Sequence, residues 1–265
     1  MRRTQHDGRS SVDVNLGLLR AVAARIGTLR ERVMFLGGTI LPLLVRADVA
    51  TDIRVAKDVD IMVHADSKAD LWAFEDRLWD AGLKRRTAGA TSPWRFDDIH
   101  VDVMTTEPET VDLINRWGME AVRQKQQRDL GGGLVINVAR STHYLATKID
   151  AFERRGCGNY PASNDVYDML LVLRGCPDLE SDFQRHTSTE LQSHLRTELS
   201  MLASAGMQWQ TQGALPPGTT RPVVLPSGAV LPVFDAFERQ WKPEAVERIR
   251  RLVATNGHAR TAATA

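Results

Sequence analysis

Val33-Met34-Phe35-Leu36-Gly37-Gly38-Thr39 and, further along, Lys57-Asp58-Val59-Asp60-Ile61-Met62-Val63 are the stretches that decide the fold. The first is a short apolar run stopped by paired glycines, the pattern of a buried strand ending in a glycine turn. Thr39 to Leu44 restarts as a helix, which puts the glycines at a strand-to-helix turn. In the second stretch Val59, Ile61 and Val63 alternate with Asp58 and Asp60, the period of a half-buried strand. Both carboxylates then point from one face. Ile99 to Met104 reads as another strand with Asp102 in its middle, joined at Asp97-Asp98 to a strand from Trp94 to Phe96.

A half-buried carboxylate in a sheet costs several kcal/mol unless something positive compensates it. If these strands pair, Asp58, Asp60 and Asp102 converge, and such a cluster is stable at neutral pH when it holds divalent metal. Two hard cations about 4 Å apart clamp the attacking and leaving oxygens of a phosphoryl displacement. The glycines fit that chemistry, because they let backbone N–H groups approach a phosphate and a following helix N-terminus adds a favourable dipole. The chain has 34 Lys+Arg, of which only six are lysine, and Lys148, seventeen residues before Asp165, is placed to meet a triphosphate from a second lobe.

Toward the N-terminus, Leu16, Leu19, Ala23 and Ile26 recur at helical spacing and predict a helix from about Val14 to Arg32. Arg46 to Ala56 reads as a polar loop. Ser67 caps a helix from Lys68 to Ala81 with Leu71, Phe74 and Leu78 inward, and Leu134 to Val138 is a strand after three glycines. From Ser141 onward the period turns helical, with helices at about Thr142 to Arg155, Ser163 to Arg174, Leu179 to Ala205 and Pro243 to Thr255. Gly213 to Pro232 is Pro/Gly-rich and reads as a loop or hairpin; the polar first dozen residues and Asn256 to Ala265 read as frayed ends. Two domains are expected, residues 1–140 with mixed strands and helices and residues 141–265 mainly helical.

Composition agrees with a globular chain: 43% hydrophobic, 25% charged and 6% aromatic exclude disorder, collagen and coiled-coil arrays. No apolar run approaches the roughly 20 residues of a membrane span, and the basic N-terminus has no apolar stretch behind it. A cytoplasmic protein without membrane partners is expected. Two cysteines, Cys157 and Cys176, are too few for a zinc site or disulfide framework, and a net charge of +1 excludes a globally basic nucleic-acid binder.

Taken in order, Phe35-Leu36-Gly37-Gly38-Thr39, Ile53-Arg54-Val55-Ala56-Lys57-Asp58-Val59-Asp60-Ile61, Ile99-His100-Val101-Asp102-Val103-Met104, and Leu145-Ala146-Thr147-Lys148-Ile149-Asp150 followed by Asn164-Asp165-Val166-Tyr167-Asp168-Met169-Leu170 resemble the motifs of one family. It is the nucleotidyltransferases of the DNA polymerase β superfamily, in their AbiEii/AbiGii-type toxin branch. The resemblance covers about Val33 to Leu173 and departs from the family at Ala56, where many relatives have Thr or Ser, and at Met169, where they have Leu. It implies a polymerase-β-like mixed sheet (α/β, or α+β) followed by a helical lobe that completes the NTP cleft. It also implies that Asp58, Asp60 and Asp102 hold two magnesium ions and that Gly37, Gly38, Thr39, Arg54, Lys57 and Lys148 contact the nucleotide. Asp58, Asp60, Asp102, Lys148 and Asp165 would be catalytic, with Asp168 structural.

The activity implied is transfer of a nucleoside monophosphate from an NTP to a hydroxyl of tRNA or protein, by a toxin paired with an antitoxin. An aminoglycoside-type antibiotic nucleotidyltransferase and a catalytically silent nucleotide- or partner-binding module are the alternatives. Against these stand blander readings: Asp58 and Asp60 as residues of a solvated edge strand, Lys148 as a solvated helix residue, and the arginine pairs Arg85-Arg86 and Arg154-Arg155 as solvated faces. His100 and His143 are given no role, and the tryptophans read as core or packing residues.

Overall fold

The structure, a computed structural model, describes residues 10–85, 94–107, 116–155, 160, 163–212, 223–224, 230–231 and 241–254. Arg86, Cys157, both outermost ends and most of the Pro/Gly-rich stretch lie outside the described residues. The chain divides into two units, Met1–Thr147 and Lys148–Ala265.

In the first unit, α1 (Ser11–Arg25) starts where the Ser10 hydroxyl oxygen accepts the Asp13 N–H, and it buries Asn15, Leu19, Val22 and Ala23. The helix expected to reach Arg32 stops at Arg25, because Gly27 takes φ 55° and the chain continues as a 3-10 turn, Gly27–Glu31. After β1 (Val33–Leu36) and Gly37 come a 3-10 turn, Gly38–Ile40, and single-turn helices α2 (Leu41–Leu44) and α3 (Ala47–Ala50), the latter inside the stretch expected to be loop. β2 (Asp58–Val63) leads to α4 (Lys68–Asp80), capped by Ser67 and burying Leu71, Phe74 and Leu78 as expected. Then follow β3 (Lys84–Arg85), β4 (Trp94–Phe96), β5 (Ile99–Thr105), α5 (Gly118–Arg123), β6 (Gln126–Asp129) and β7 (Val135–Val138).

The seven strands form one mixed sheet in the order β3-β4-β5-β2-β1-β7-β6. β2 runs antiparallel to β1 and parallel to β5, and β1 runs parallel to β7. The architecture is mixed α/β. Trp94, Val101 and Val59 are register partners on one face and are buried. On that face Arg25 of α1 lies 5.1 Å from the Phe96 ring centroid, and Arg85, bonded to Glu75 of α4, lies 5.9 Å from that of Trp94. The opposite face carries Asp58, Asp60, His100 and Asp102, all half-buried. The polar strand β6 has no apolar alternation to announce it; it exists as the antiparallel partner of β7, Gln127 opposite Asn137.

The second unit is mainly helical. α6 (Ser141–Arg155) enters it, followed by α7 (Asn164–Gly175), α8 (Leu179–Arg185), α9 (Thr189–Gln212), the hairpin β8 (Val223–Val224) and β9 (Val230–Leu231), and α10 (Pro243–Ala254). The single helix expected from Leu179 to Ala205 is broken after Arg185. Thr187 Oγ1 donates to the Asp182 carbonyl and Ser188 Oγ accepts the Leu191 N–H, ending one helix and starting the next. α10 buries Ala245, Ile249 and Leu252, and its Arg248 donates to the Leu173 and Cys176 carbonyls and to Glu180. No helix among the described residues is long and apolar enough to cross a membrane.

Candidate active site

The strand register sets the carboxylates. Asp60 is the Cα partner of Leu36 on β1 and of Asp102 on β5, so two carboxylates face one another across strands about 4.8 Å apart. Asp58 lies on the same face, opposite His100. Their alternate neighbours Val59, Ile61 and Val101 are fully buried, which pins the acidic side of the strand outward. The solvated edge-strand reading fails, because β2 has a partner on both sides.

Gly37 sits at the end of β1 with φ 73°, beside Asp60. A Cβ there would overlap the Asp60 carboxylate, so both the backbone angle and the space require glycine. Gly38 has room by comparison: the atoms nearest its absent Cβ are the Ala56 Cβ and Arg54 Nη2, both at 3.5 Å. A guanidinium therefore lies against the glycine turn. Thr39 is fully buried and donates to the Leu36 carbonyl at 3.5 Å, bracing the turn from inside. The helix after the turn does not add the expected dipole, because the 3-10 turn and α2 are each a single turn long and Val45 is already extended.

What ties down the backbone from Arg54 to Ala56, just ahead of β2, is Asn15, a residue to which the sequence assigned nothing. Its amide is fully buried on α1; Nδ2 donates to the Arg54 carbonyl at 3.0 Å and Oδ1 accepts the Ala56 N–H at 2.9 Å. The signal in the sequence was one polar residue on an apolar helix stripe, with a partner some forty positions away. Lys57 is exposed at the mouth of β2.

Among the described residues no three His, Cys, Asp or Glu side chains are gathered as a ready metal-holding group. Asp58, Asp60 and Asp102 share a face without forming a closed ligand cage. The donor set is all carboxylate oxygen, the type that hard divalent cations take.

In the second unit Lys148 is 8% exposed, which overturns the reading of it as a solvated helix residue. Its Nζ lies 3.2 Å from Asp165 Oδ1 and 2.8 Å from Asp168 Oδ2. The structure thus brings together the predicted Lys148 and Asp165 and adds Asp168 as the closer partner. Asp168 is fully buried, whereas the Asp165 side chain keeps 10% exposure at the first turn of α7, where Ser163 Oγ caps the helix. Elsewhere, His143 is fully buried and 3.3 Å from Glu120, a partnered core histidine.

Compared with known proteins, the chain matches no family model, and no curated protein is similar enough to count as a match.

Proposed function

We propose that this protein is a magnesium-dependent nucleotidyltransferase of the polymerase β type, moving a nucleoside monophosphate from an NTP to an acceptor hydroxyl with release of pyrophosphate. The observation that carries the proposal is the pairing of Gly37 with Asp60 and of Asp60 with Asp102. A left-handed glycine turn and two facing carboxylates meet at one point of the sheet. Magnesium suits this open set, because it is usually held by one or two carboxylates together with substrate phosphates. Bound there, it would supply charge neutralisation at the transferring phosphoryl group.

The chain's own residues have distinct tasks in this reading. The Gly37-Gly38 backbone admits the triphosphate at close range, and the Arg54 guanidinium beside it balances phosphate charge. Asp102 accepts the proton of the acceptor hydroxyl as its oxygen bonds to the α-phosphorus and the bond to the β-phosphate oxygen breaks. Asp58 and Asp60, together with Asp102, would hold the metal, and Thr39 and Asn15 keep the turn and the strand entrance in register. Lys57 and the Lys148–Asp165 pair are proposed as further nucleotide contacts. The toxin branch adds tRNA or a protein as acceptor and an antitoxin as partner.

The decisive experiment incubates the protein with magnesium and each labelled NTP, with and without tRNA, comparing wild type with Asp60→Asn. Label transferred by wild type and reduced at least about 100-fold in the variant, with unfolding unchanged, supports the reading. Equal transfer by the variant removes the carboxylates from the chemistry; NTP binding without transfer to any acceptor favours the nucleotide-binding module.

A further inference from the structure

α4 turns two aromatic rings to solvent. The sequence expects its tryptophans in packing, and Trp94 and Trp241 are buried, yet Trp72 and Trp79 keep 62% and 59% of their surface exposed. They stand two helical turns apart, about 10 Å along the axis and nearly in line. Ala69, Trp72, Asp76 and Trp79 follow one another at intervals of three, four and three residues, the spacing of a coiled-coil seam. All four are exposed, on the side of α4 away from the buried Leu71, Phe74 and Leu78. The helix therefore carries two seams, of which the sheet takes up one. Acidic groups set the character of the outer seam: Asp76 lies within it and Glu75 and Asp80 flank it, against a single lysine, Lys68. Glu75 is held by Arg85 at 3.1 Å, whereas neither Asp76 nor Asp80 has a side-chain hydrogen bond or ion pair with another described residue.

From this pattern we infer that the outer face of α4 docks a basic amphipathic helix of a partner protein. Apolar side chains of that helix lie against Trp72 and Trp79, and an Arg or Lys between them meets Asp76. Tryptophan is a frequent anchor of protein interfaces, because one rigid side chain removes about 150–250 Å² from water. The spacing selects a helix as occupant, since knobs repeating at that interval fit the holes of a second helix. Charge selects a basic one: a cation between the indoles pairs with the carboxylate and lies against the ring faces. A second copy of this chain does not fit. Setting the tryptophans of one copy against those of another, parallel or antiparallel, brings Asp76 onto Asp76 or Glu75, and like charges so placed repel. The same carboxylates repel nucleic acid and anionic lipid, and a helix lying in a membrane surface carries Lys and Arg on its polar face where α4 carries Asp. The inference stands apart from the nucleotidyltransferase reading. α4 packs on the face of the sheet opposite Asp58, Asp60 and Asp102, so a helix seated on it does not cover the carboxylates.

The test uses the full chain and two labelled synthetic helices of about three heptads, identical in their leucine seam and differing only in carrying Arg or Glu at the positions within and beside it. Fluorescence anisotropy should show the basic helix binding wild type at least about tenfold more tightly than the acidic one. Trp72→Ala/Trp79→Ala should weaken the basic helix at least about tenfold with the urea midpoint unchanged. Asp76→Lys should invert the preference, losing the basic helix and gaining the acidic one. No binding of the basic helix, equal binding of both helices, or wild-type affinities in the two variants would each overturn the inference. Sedimentation gives a further check: a dimer of wild type that Trp72→Ala/Trp79→Ala dissolves would make a second copy the occupant and overturn the basic partner. Binding of wild type to lipid vesicles, lost in the same variant, would overturn it in favour of a membrane surface.

Discussion

The Asp60 carboxylate occupies the space in which a side chain on Gly37 would begin. Strand end and carboxylate are therefore one unit: the turn can exist only without a Cβ, and Asp60 can hold its position only because the turn has none. Substitution at Gly37 should act on stability and chemistry together. The left-handed backbone alone costs an L-residue about 1–2 kcal/mol, and displacement of Asp60 adds to it. Gly37→Ala should unfold at lower urea and lose transfer. Gly38→Ala, whose nearest neighbours stand at 3.5 Å, should unfold near the wild-type midpoint and show only weaker NTP binding by calorimetry. Equal stability of both variants would contradict the pairing.

Asn15 predicts a positioning effect. Asn15→Ala withdraws the partner of the Arg54 carbonyl and of the Ala56 N–H from a fully buried site. Each group so stripped costs about 1–3 kcal/mol. Beyond that loss, which urea titration measures, turnover at saturating NTP should fall while the variant remains folded, since Asp58 follows directly on the released segment.

Lys148 offers a clean structural contrast. Removing the cation from a buried pair costs about 3–5 kcal/mol, so Lys148→Ala should be strongly destabilised with Asp168 left in the core. Asp165→Asn should cost much less, because Asp168 still holds the ammonium at 2.8 Å. Matching denaturation midpoints for the two variants would show that Asp168 does not anchor the lysine.

Acid should be felt in the second unit through Glu180. Partial burial pushes its carboxyl up, but its own backbone hydrogen bond and the charges of Arg248 and Arg251 outweigh burial and leave it below the ordinary value. A carboxyl depressed in the folded state stabilises above its unfolded pKa, and that contribution is lost as pH falls through the folded value. Glu180→Gln should therefore flatten the stability profile between neutral pH and about pH 3, measured by urea midpoints, and leave the neutral-to-basic limb parallel to wild type.

The parts of the fold that the sequence made legible are those in which one residue type repeats at the period of its own element. Val59, Ile61 and Val63 announce β2, and Leu71, Phe74 and Leu78 announce α4. The same alternation told that Asp58 and Asp60 share a face. Features created by pairing at long range were hidden. β6 has the sequence Gln-Gln-Arg-Asp and is a strand only because β7 is beside it. The amide of Asn15 acquires meaning only once residues 54–56 arrive against it.

The antiparallel alignment of β1 with β2 also guards against misfolding. A slip of one position would turn Asp58 and Asp60 toward the side now filled by Val59 and Ile61 and expose those apolar residues instead. Such a chain would bury naked charge and would also remove Asp60 from both Gly37 and Asp102. A chain that zips up in the wrong alignment thus loses stability together with that pairing, so cells that clear unstable chains also clear the misaligned ones.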